Sequence, residues 1–201
     1  MDEFIKLIKT IYNVEDQALQ QMADMLKTRN FRKGDFLVRA DEVSKNYYFL
    51  SSGLVKLFFD NGDKNFIMTF FKEHSFFTEL SSFNSGEPSK YMLSAIEPVE
   101  LLYISKFEIT KLCQQYHSID TLFRKLNETA SARMMIRISE FLECDAKNRY
   151  SNFLQHSPDL LQRISLGDLA DYLGITQFPS AEFVGKSDFL SFVKNILCYP
   201  K

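Results

Sequence analysis

Apolar residues change their spacing twice along this chain of 201 residues. Over residues 3–28 they recur at intervals of three and four, which predicts an amphipathic helix. From about residue 30 to 105, short aromatic and branched runs alternate with turn sequences such as Asp60-Asn61-Gly62-Asp63, which predicts strands joined by hairpins. From about residue 106 the helical spacing returns. We therefore predict an α+β protein with a central β-roll, a double-stranded β-helix with flanking helices.

A long helix is predicted after the roll. Its apolar residues step by four and three over about six turns, which suits packing on the protein's own β-domain or a two-stranded coiled coil. We favour a homodimer, because the pattern runs farther than one small barrel could cover. The predicted interface consists of Ile119, Phe123, Leu126, Ala130, Met134, Ile138 and Phe141.

The chain divides into three predicted parts. A leading helix and the roll occupy residues 1–117, a dimerisation helix with a hinge occupies 118–146, and an altered helix-turn-helix domain occupies 147–201. The first half of that motif has a Ser cap, an apolar face and a Gly just past the last apolar residue. Its residues are Ser165, Leu166, Leu169, Ala170, Leu173 and Gly174.

The second half of the motif is replaced. A recognition helix needs basic and polar side chains that reach base edges, yet residues 177–186 contain one Lys and no Arg. One interpretation is a native alternative end, in which residues 186–197 form an amphipathic helix. The other, which we favour, is a shifted reading frame: the degenerate codons from Gln177 onward, read from the third base, permit Val-Ser-Leu-Ser-Arg-Ile-Arg-Arg-Lys-Ile. Both interpretations predict weak DNA binding by the chain as it stands.

Composition narrows the class of protein further. The net charge is -2, so a strongly cationic surface is absent overall. We expect a cytoplasmic protein without a membrane span or signal peptide, because no apolar run approaches about 18 residues. The three cysteines, Cys113, Cys144 and Cys198, are too far apart for a metal or iron–sulfur motif. We expect them to be free thiols.

The order of elements resembles that of the Crp–Fnr family of bacterial transcription regulators. Residues 31–37 resemble the family's first roll strands, 48–57 its strand–Gly–strand unit, 76–80 the start of its phosphate-binding cassette and 169–176 its first helix-turn-helix helix and turn. The resemblance implies a cyclic-nucleotide-binding-like roll whose small-molecule effector biases two arrangements of the DNA-binding domains. It implies DNA and RNA polymerase as partners.

The same resemblance places the effector among Phe77, Thr78, Glu79, Leu80, Ser89, Lys90 and Met134. In the family a Gly-Glu pair and an Arg hold the cyclic nucleotide. Here Glu79 is kept, but Thr78 stands at the Gly position and residues 87–91 contain no Arg. We therefore expect an effector other than cyclic AMP, and an anionic ligand, an apolar ligand or none remain open. The isolated residues His74, His117 and His156 and the scattered cysteines predict no metal, haem or iron–sulfur cluster.

Other classes of function find less support. No paired His motif and no nucleophile–base pair is visible, so we do not expect an enzyme. The alternative to a transcription regulator is a ligand-sensing dimeric module that acts only through protein contacts.

Overall fold

Two four-stranded antiparallel sheets and their flanking helices make up the described residues, 1–62 and 64–175, of this computed structural model. The second half of the helix-turn-helix, which the sequence analysis predicts to be replaced, lies outside these residues. The helices are α1 (Asp2–Ile11), α2 (Asp16–Met25), α3 (Leu80–Ser85), α4 (Lys106–Gln115), α5 (His117–Glu143), α6 (Ala146–His156) and α7 (Leu166–Leu173), with a 3-10 helix over Pro158–Gln162. The strands are β1 (Lys27–Phe31), β2 (Phe36–Val38), β3 (Asn46–Ser52), β4 (Val55–Asp60), β5 (Asn65–Phe71), β6 (Phe76–Phe77), β7 (Met92–Ala95) and β8 (Val99–Ser105).

The strand order confirms the predicted β-roll. One sheet runs β1-β8-β3-β6 and the other runs β2-β7-β4-β5. Tyr48 lies opposite Tyr103 in the first sheet, and Lys56 lies opposite Phe70 in the second. The chain therefore passes repeatedly from one sheet to the other, which winds the strands into a roll.

Strand β3 shows why its apolar run is continuous rather than alternating. Successive side chains point to opposite faces of a sheet. Tyr48 and Leu50 point into the roll, where they pack with the apolar interior. Tyr47 and Phe49 point outward into a second cluster, formed with α1, α2, α4 and the start of α5. Because the sheet is covered on both faces, apolar residues are needed at every position.

The prediction of one helix over residues 3–28 is wrong in its extent. The chain leaves α1 at Tyr12, which has an extended backbone, and α2 begins four residues later. The apolar spacing continues across this break because Ile8, Val14 and Leu19 all pack into the same cluster. A shared core thus preserves the helical period where the helix itself stops.

The remaining helical predictions agree with the structure in outline. The long helix is α5, with 27 residues. The hinge predicted at the end of the long helix is short, because α5 ends at Glu143 and Asp145 already caps α6 by accepting a hydrogen bond from the Asn148 amide at 2.9 Å. Helix α7 begins at Ser165, whose hydroxyl accepts from the Asp168 amide at 3.0 Å, and ends at Gly174 with a left-handed φ of 67°.

Residues 146–175, the C-terminal module, pack on the outside of the roll. Leu54 and Ile96 of the roll lie in one buried cluster with apolar side chains of α6, the 3-10 helix and α7. These module residues are Tyr150, Phe153, Leu160, Ile164, Leu169 and Leu173. Burial of this cluster holds the first half of the helix-turn-helix in a fixed place beside β4 and β5.

Gly53 is essential where β3 turns into β4. Its φ is +97°, and a Cβ there would stand 2.4 Å from the Pro98 carbonyl oxygen. We expect Gly53→Ala to lower the free energy of unfolding by about 3 kcal/mol or more, since it adds a clash to an unfavourable φ. Gly62→Ala is the control: φ is +93° but the space is open, so about 1 kcal/mol is expected. Urea unfolding measures both, and equal losses would contradict the clash.

Candidate functional site

A cavity of about 870 Å³ lies between the mouth of the roll and helix α5. Its inner wall is aromatic: the rings of Phe71 and Phe77 stack with centroids 4.5 Å apart, and Tyr48 lies behind Phe77 at 5.3 Å. Met134 of α5 packs against the same roll interior. The cavity is thus an extension of the roll's apolar core that remains open at one side.

The predicted effector residues divide into two groups. Phe77, Thr78, Glu79, Leu80 and Met134 line the cavity. Ser89 and Lys90 do not: Ser89 is buried in its own loop, and Lys90 is exposed with its Nζ 5.1 Å from the Tyr91 ring centroid. Lys90, which the resemblance placed near the effector, therefore lies outside the cavity.

The side chain of Glu79 caps the start of helix α3. Its carboxylate accepts hydrogen bonds from the Ser81 amide at 3.1 Å and from the Ser82 amide at 2.8 Å. The residue is 3% exposed. Since both oxygens already have donors and the carboxylate is buried, its observed role is to cap the helix.

The hydroxyls around Glu79 are likewise satisfied within the protein. Thr78 donates to the Asn46 carbonyl at 2.8 Å, and the Ser44 hydroxyl lies 3.1 Å from that of Thr78. Ser82 donates to the Glu87 carbonyl, and Ser89 donates to the Tyr91 carbonyl at 3.0 Å. The hydroxyls of Thr78, Ser82 and Ser89 are therefore directed to main-chain carbonyls of the protein.

Several lining residues were missed by the sequence analysis. From the roll these are Leu57, Met68, Phe70, Phe71 and Tyr91; from the helices they are Arg133, Arg137, Glu140 and Tyr172. The run of residues 66–71 predicts a strand but does not show which side chains face a cavity. Tyr172 belongs to α7, so the cavity also contacts the first helix of the predicted helix-turn-helix.

Arg137 connects the cavity wall to α7. Its guanidinium lies between two rings, 3.8 Å from the Tyr172 centroid and 4.7 Å from that of Phe141. It donates to Glu140 at 2.9 Å and to the main-chain carbonyl of Tyr172. Because that carbonyl belongs to the last turn of α7, a cation of α5 complements the negative end of the helix.

Arg149 secures the same helix end from α6. Its Nε donates to the Leu173 carbonyl at 2.9 Å, and its guanidinium lies 4.7 Å from the Phe141 ring centroid. Phe141 packs so closely on Gly174 that a Cβ there would be 2.6 Å from the ring. The turn that follows α7 is therefore held by the end of α5.

Ion pairs join the C-terminal module to the roll. Arg163 binds Glu73 at 2.6 Å and also contacts Glu97, which lie in two different turns of the roll. Lys56 of β4 binds Asp168 of α7 at 2.6 Å, with both side chains largely buried. These pairs fix the orientation of the module on the roll, beyond what apolar contact alone provides.

Glu73 makes this docking sensitive to acid. Hydrogen bonds from Arg163 lower the pKa of Glu73 to about 2, against 4.5 for a free Glu. A carboxylate with a lowered pKa stabilises the folded state above pH 4.5, and this contribution is lost as the pH falls towards 2. We expect it to be about 1 to 2 kcal/mol, since the pair is partly exposed and screened by solvent.

The variant Glu73→Gln tests this contribution. We expect it to be less stable than the parent chain at pH 6 and to lose less stability between pH 5 and pH 3. Urea unfolding at fixed ionic strength, repeated over that range, measures the difference. If the free energy of unfolding changed with pH by the same amount in both proteins, ionisation of Glu73 would not contribute to docking of the module.

The predicted dimer residues do not share one environment. Ile119, Phe123 and Leu126 are buried in the protomer's own core, and Ala130, Met134 and Ile138 line the cavity. Ile119 has no exposed surface, so the structure corrects its assignment to an interface. Phe141 packs on the helix-turn-helix turn. The most exposed apolar side chains of α5 are Met135, Ile136 and Leu142. Met135 and Ile136 also contribute to the cavity lining, whereas Leu142 does not.

Two kinds of feature are absent from the described residues. Among them, no group of three or more His, Cys, Asp or Glu side chains is arranged to hold a metal ion. In the same residues, no helix has the length and apolar character needed to span a bilayer.

The central part of the chain matches a known domain family. Residues 28–116 match the family model of the cyclic nucleotide-binding domain. Two curated relatives are cAMP-dependent protein kinase regulatory subunits. The one from Debaryomyces hansenii is 25% identical over 111 residues, and the one from Candida albicans is 35% identical over 52 residues. These matches cover 55% and 26% of this chain but only 24% and 11% of the relatives.

The fold is similar to that of several bacterial regulators. FixK2 from Bradyrhizobium japonicum has a TM-score of 0.66 at 15% identity, with 86% of this chain and 84% of that chain covered. The c-di-GMP responsive regulator CLP from Xanthomonas campestris has a TM-score of 0.68 at 17% identity, with 91% of each chain covered. A CooA mutant from Carboxydothermus hydrogenoformans has a TM-score of 0.66 at 15% identity, with 92% and 86% covered. The predicted Crp–Fnr fold is confirmed.

Proposed function

We propose that this chain, which has the fold of the Crp–Fnr regulators, is a ligand-responsive transcription regulator that acts as a homodimer in the cytoplasm. The observation that carries the proposal is the single cavity shared by the roll, α5 and α7. Met68 of the roll, Met134 of α5 and Tyr172 of α7 all line it. A ligand there contacts the roll, α5 and α7 at once. It can therefore bind more tightly to one arrangement of these elements than to another, which is how a ligand shifts an equilibrium between two arrangements.

The homodimer is proposed through the exposed side of α5. Ala132, Met135, Ser139 and Leu142 follow one another at intervals of three, four and three, and Ile136 lies beside them. Met135, Ile136 and Leu142 are 64%, 69% and 81% exposed in the single chain. Three large exposed apolar side chains on one helix are typical of an interaction surface, and the spacing of three, four and three is that of a two-stranded coiled coil.

DNA binding by the chain as it stands is proposed to be weak. In the first half of the motif, α7 exposes no Lys or Arg, since it contains none. The sequence from Thr176 to Lys201 has three Lys and no Arg, offset by Glu182 and Asp188. Phosphate contacts and the commonest base contacts come from Arg and Lys, so little affinity for DNA is expected.

The experiment compares two proteins on a pool of random duplex DNA at 150 mM salt. One is the full chain, and the other carries Val-Ser-Leu-Ser-Arg-Ile-Arg-Arg-Lys-Ile in place of residues 177–186. We expect the replaced tail to bind DNA at least tenfold more tightly and to select a two-fold symmetric sequence from the pool. A matched control carries the same ten residues in scrambled order.

Two outcomes decide the proposal. Selection of a symmetric site by the replaced tail but not by the scrambled one supports a DNA-binding regulator. Equal and unselective binding by both would show that added charge alone is responsible. The proposal would then give way to a sensor that acts through protein contacts.

A further inference from the structure

We propose that the cavity binds an apolar, aromatic small molecule that carries no phosphate. This inference rests on the proposed role of the roll as a sensor, and it names the chemical class of the effector. It departs from what the matched domain family suggests, because it follows from the side chains that this chain places around the cavity.

The walls provide flat, polarisable surfaces. Phe71 and Phe77 are nearly parallel, with an angle of 17° between their planes. Met68 and Met134 pack against the same interior cluster from the roll and from α5. Phe77 is 2% exposed and lies between the rings of Phe71 and Tyr48, so the outer face of the half-buried Phe71 is the ring surface left for a ligand. An aromatic ligand can stack on that face, and thioether sulfurs contact aromatic rings favourably and adapt to their shape. An aromatic ligand would thus meet suitable surfaces from both sides of the cavity.

The charges around the cavity disfavour a buried phosphate. Five ionisable groups other than tyrosine reach its lining: His74, Glu79, Arg133, Arg137 and Glu140. Glu79 is held by two backbone amides, and Arg137 is bound by Glu140. His74 and Arg133 are exposed, so they meet solvent at the outer side.

A phosphate needs a desolvated cation in a fixed geometry, preferably a guanidinium. Arg137 is the buried guanidinium of the lining, and Glu140 and the Tyr172 carbonyl already engage its two terminal nitrogens. Its buried Nε has no partner, but one N–H does not provide the two-pronged contact that a phosphate prefers. Moving a phosphate beside Glu79 and Glu140 would cost several kcal/mol without a new partner. Cyclic nucleotides are therefore poor ligands for this cavity.

The volume is suited to a small molecule. Ligand cavities in proteins commonly measure about 300 to 1,000 Å³, and the 870 Å³ here falls in that range. The stacked pair of Phe71 and Phe77 forms part of the wall, and Arg133 of the lining is exposed to solvent. One aromatic molecule of two or three fused rings would fill the inner part.

N-phenyl-1-naphthylamine is a suitable probe, because it is uncharged and its fluorescence rises in apolar surroundings. We expect the full chain to bind it saturably, one molecule per chain, with a dissociation constant in the micromolar range. We expect 1 mM cyclic AMP to leave that signal unchanged. Displacement of the probe by micromolar cyclic AMP, or the absence of saturable binding by correctly folded protein, would overturn the inference.

Variants place the probe in the cavity. Met134→Glu puts a charge on the α5 wall, so we expect binding to weaken at least tenfold, whereas Met134→Leu should stay within about threefold. Phe107→Glu is the matched control, since Phe107 is 67% exposed on α4 and away from the cavity. Circular dichroism checks the fold of each variant. Equal losses in Met134→Glu and Phe107→Glu would count against the cavity as the site.

The two proposals fail separately. The DNA selection experiment contains no probe, and the probe titration contains no DNA. Selection of a symmetric DNA site without probe binding would overturn the ligand class and leave the regulator. Probe binding without DNA selection would overturn the proposed regulator and leave the ligand class.

Discussion

Replacement of Arg137 by Leu is expected to lower the free energy of unfolding by about 2 to 3 kcal/mol. The substitution leaves the largely buried Glu140 without its cation and removes the donor to the Tyr172 carbonyl. It also removes a guanidinium from between two aromatic rings. Leu restores part of the apolar packing, and Asn152 still donates to Glu140, so the loss stays below that of a fully orphaned buried charge. Urea unfolding at pH 7 measures it.

Arg133→Leu is the matched control for this prediction. Arg133 lies one turn earlier on the same helix and is exposed, so its replacement should change stability by less than about 0.5 kcal/mol. The double variant Arg137→Leu with Glu140→Leu should regain about 1 kcal/mol over Arg137→Leu, because no buried carboxylate is then left alone. Equal losses from Arg133→Leu and Arg137→Leu would contradict a role for Arg137 in holding α7.

Arg137 also connects the ligand cavity to the position of α7. The same guanidinium lines the cavity and binds the carbonyl end of α7. Tyr172 contributes its ring to the cavity wall and its carbonyl to that bond. A ligand that displaces the ring must therefore disturb the contact that positions α7, provided that the two arrangements differ there.

Local sequence patterns predicted the structural features that depend on interactions between neighbouring residues. Helix α7 begins after Ser165, because a hydroxyl there can accept a hydrogen bond from an unpaired main-chain amide. It ends at Gly174, because the left-handed turn there favours glycine. The aromatic runs identified strands because β3 and its neighbours are covered on both faces. These features depend on a few adjacent residues, so one sequence is enough to predict them.

The cavity and its polar contacts could not be predicted in this way. Arg137 meets Tyr172 across 35 residues, and Arg163 meets Glu73 across 90. Nothing in the local sequence distinguishes these Arg residues from Arg133, which lies in solvent. Their environment follows from how the module docks on the roll, and that arrangement is set by long-range packing.

Helix α5 shows a further limit of periodicity. Its apolar residues occupy two sides, because one side belongs to the protomer's own core and cavity and the other remains exposed. Ile119, Phe123 and Leu126 recur at helical intervals because all three pack into one buried cluster of the protomer. A helical period tells which residues share a side but not what covers it. The sequence therefore predicted a seam on the side that the protomer itself covers.

Leu142→Glu is expected to weaken dimerisation at least 100-fold. Leu142 is 81% exposed in the single chain, and in a two-fold interface each substitution occurs twice. Two unpaired carboxylates buried in an apolar seam would cost at least about 3 kcal/mol, and each 1.4 kcal/mol is a factor of ten in the dissociation constant. Sedimentation equilibrium from 1 to 100 µM measures this constant, and Ile136→Glu should act in the same direction.

Phe107→Glu serves as the control, because it also replaces a large exposed apolar side chain, on α4. It should leave the dissociation constant within about threefold. The substituted side chain at residue 142 is exposed in the protomer, so Leu142→Glu should unfold at nearly the same urea concentration as the parent chain once both are monomeric. A parent chain that is monomeric at 100 µM would refute the dimer. An unchanged constant in Leu142→Glu would instead refute this side of α5 as its interface.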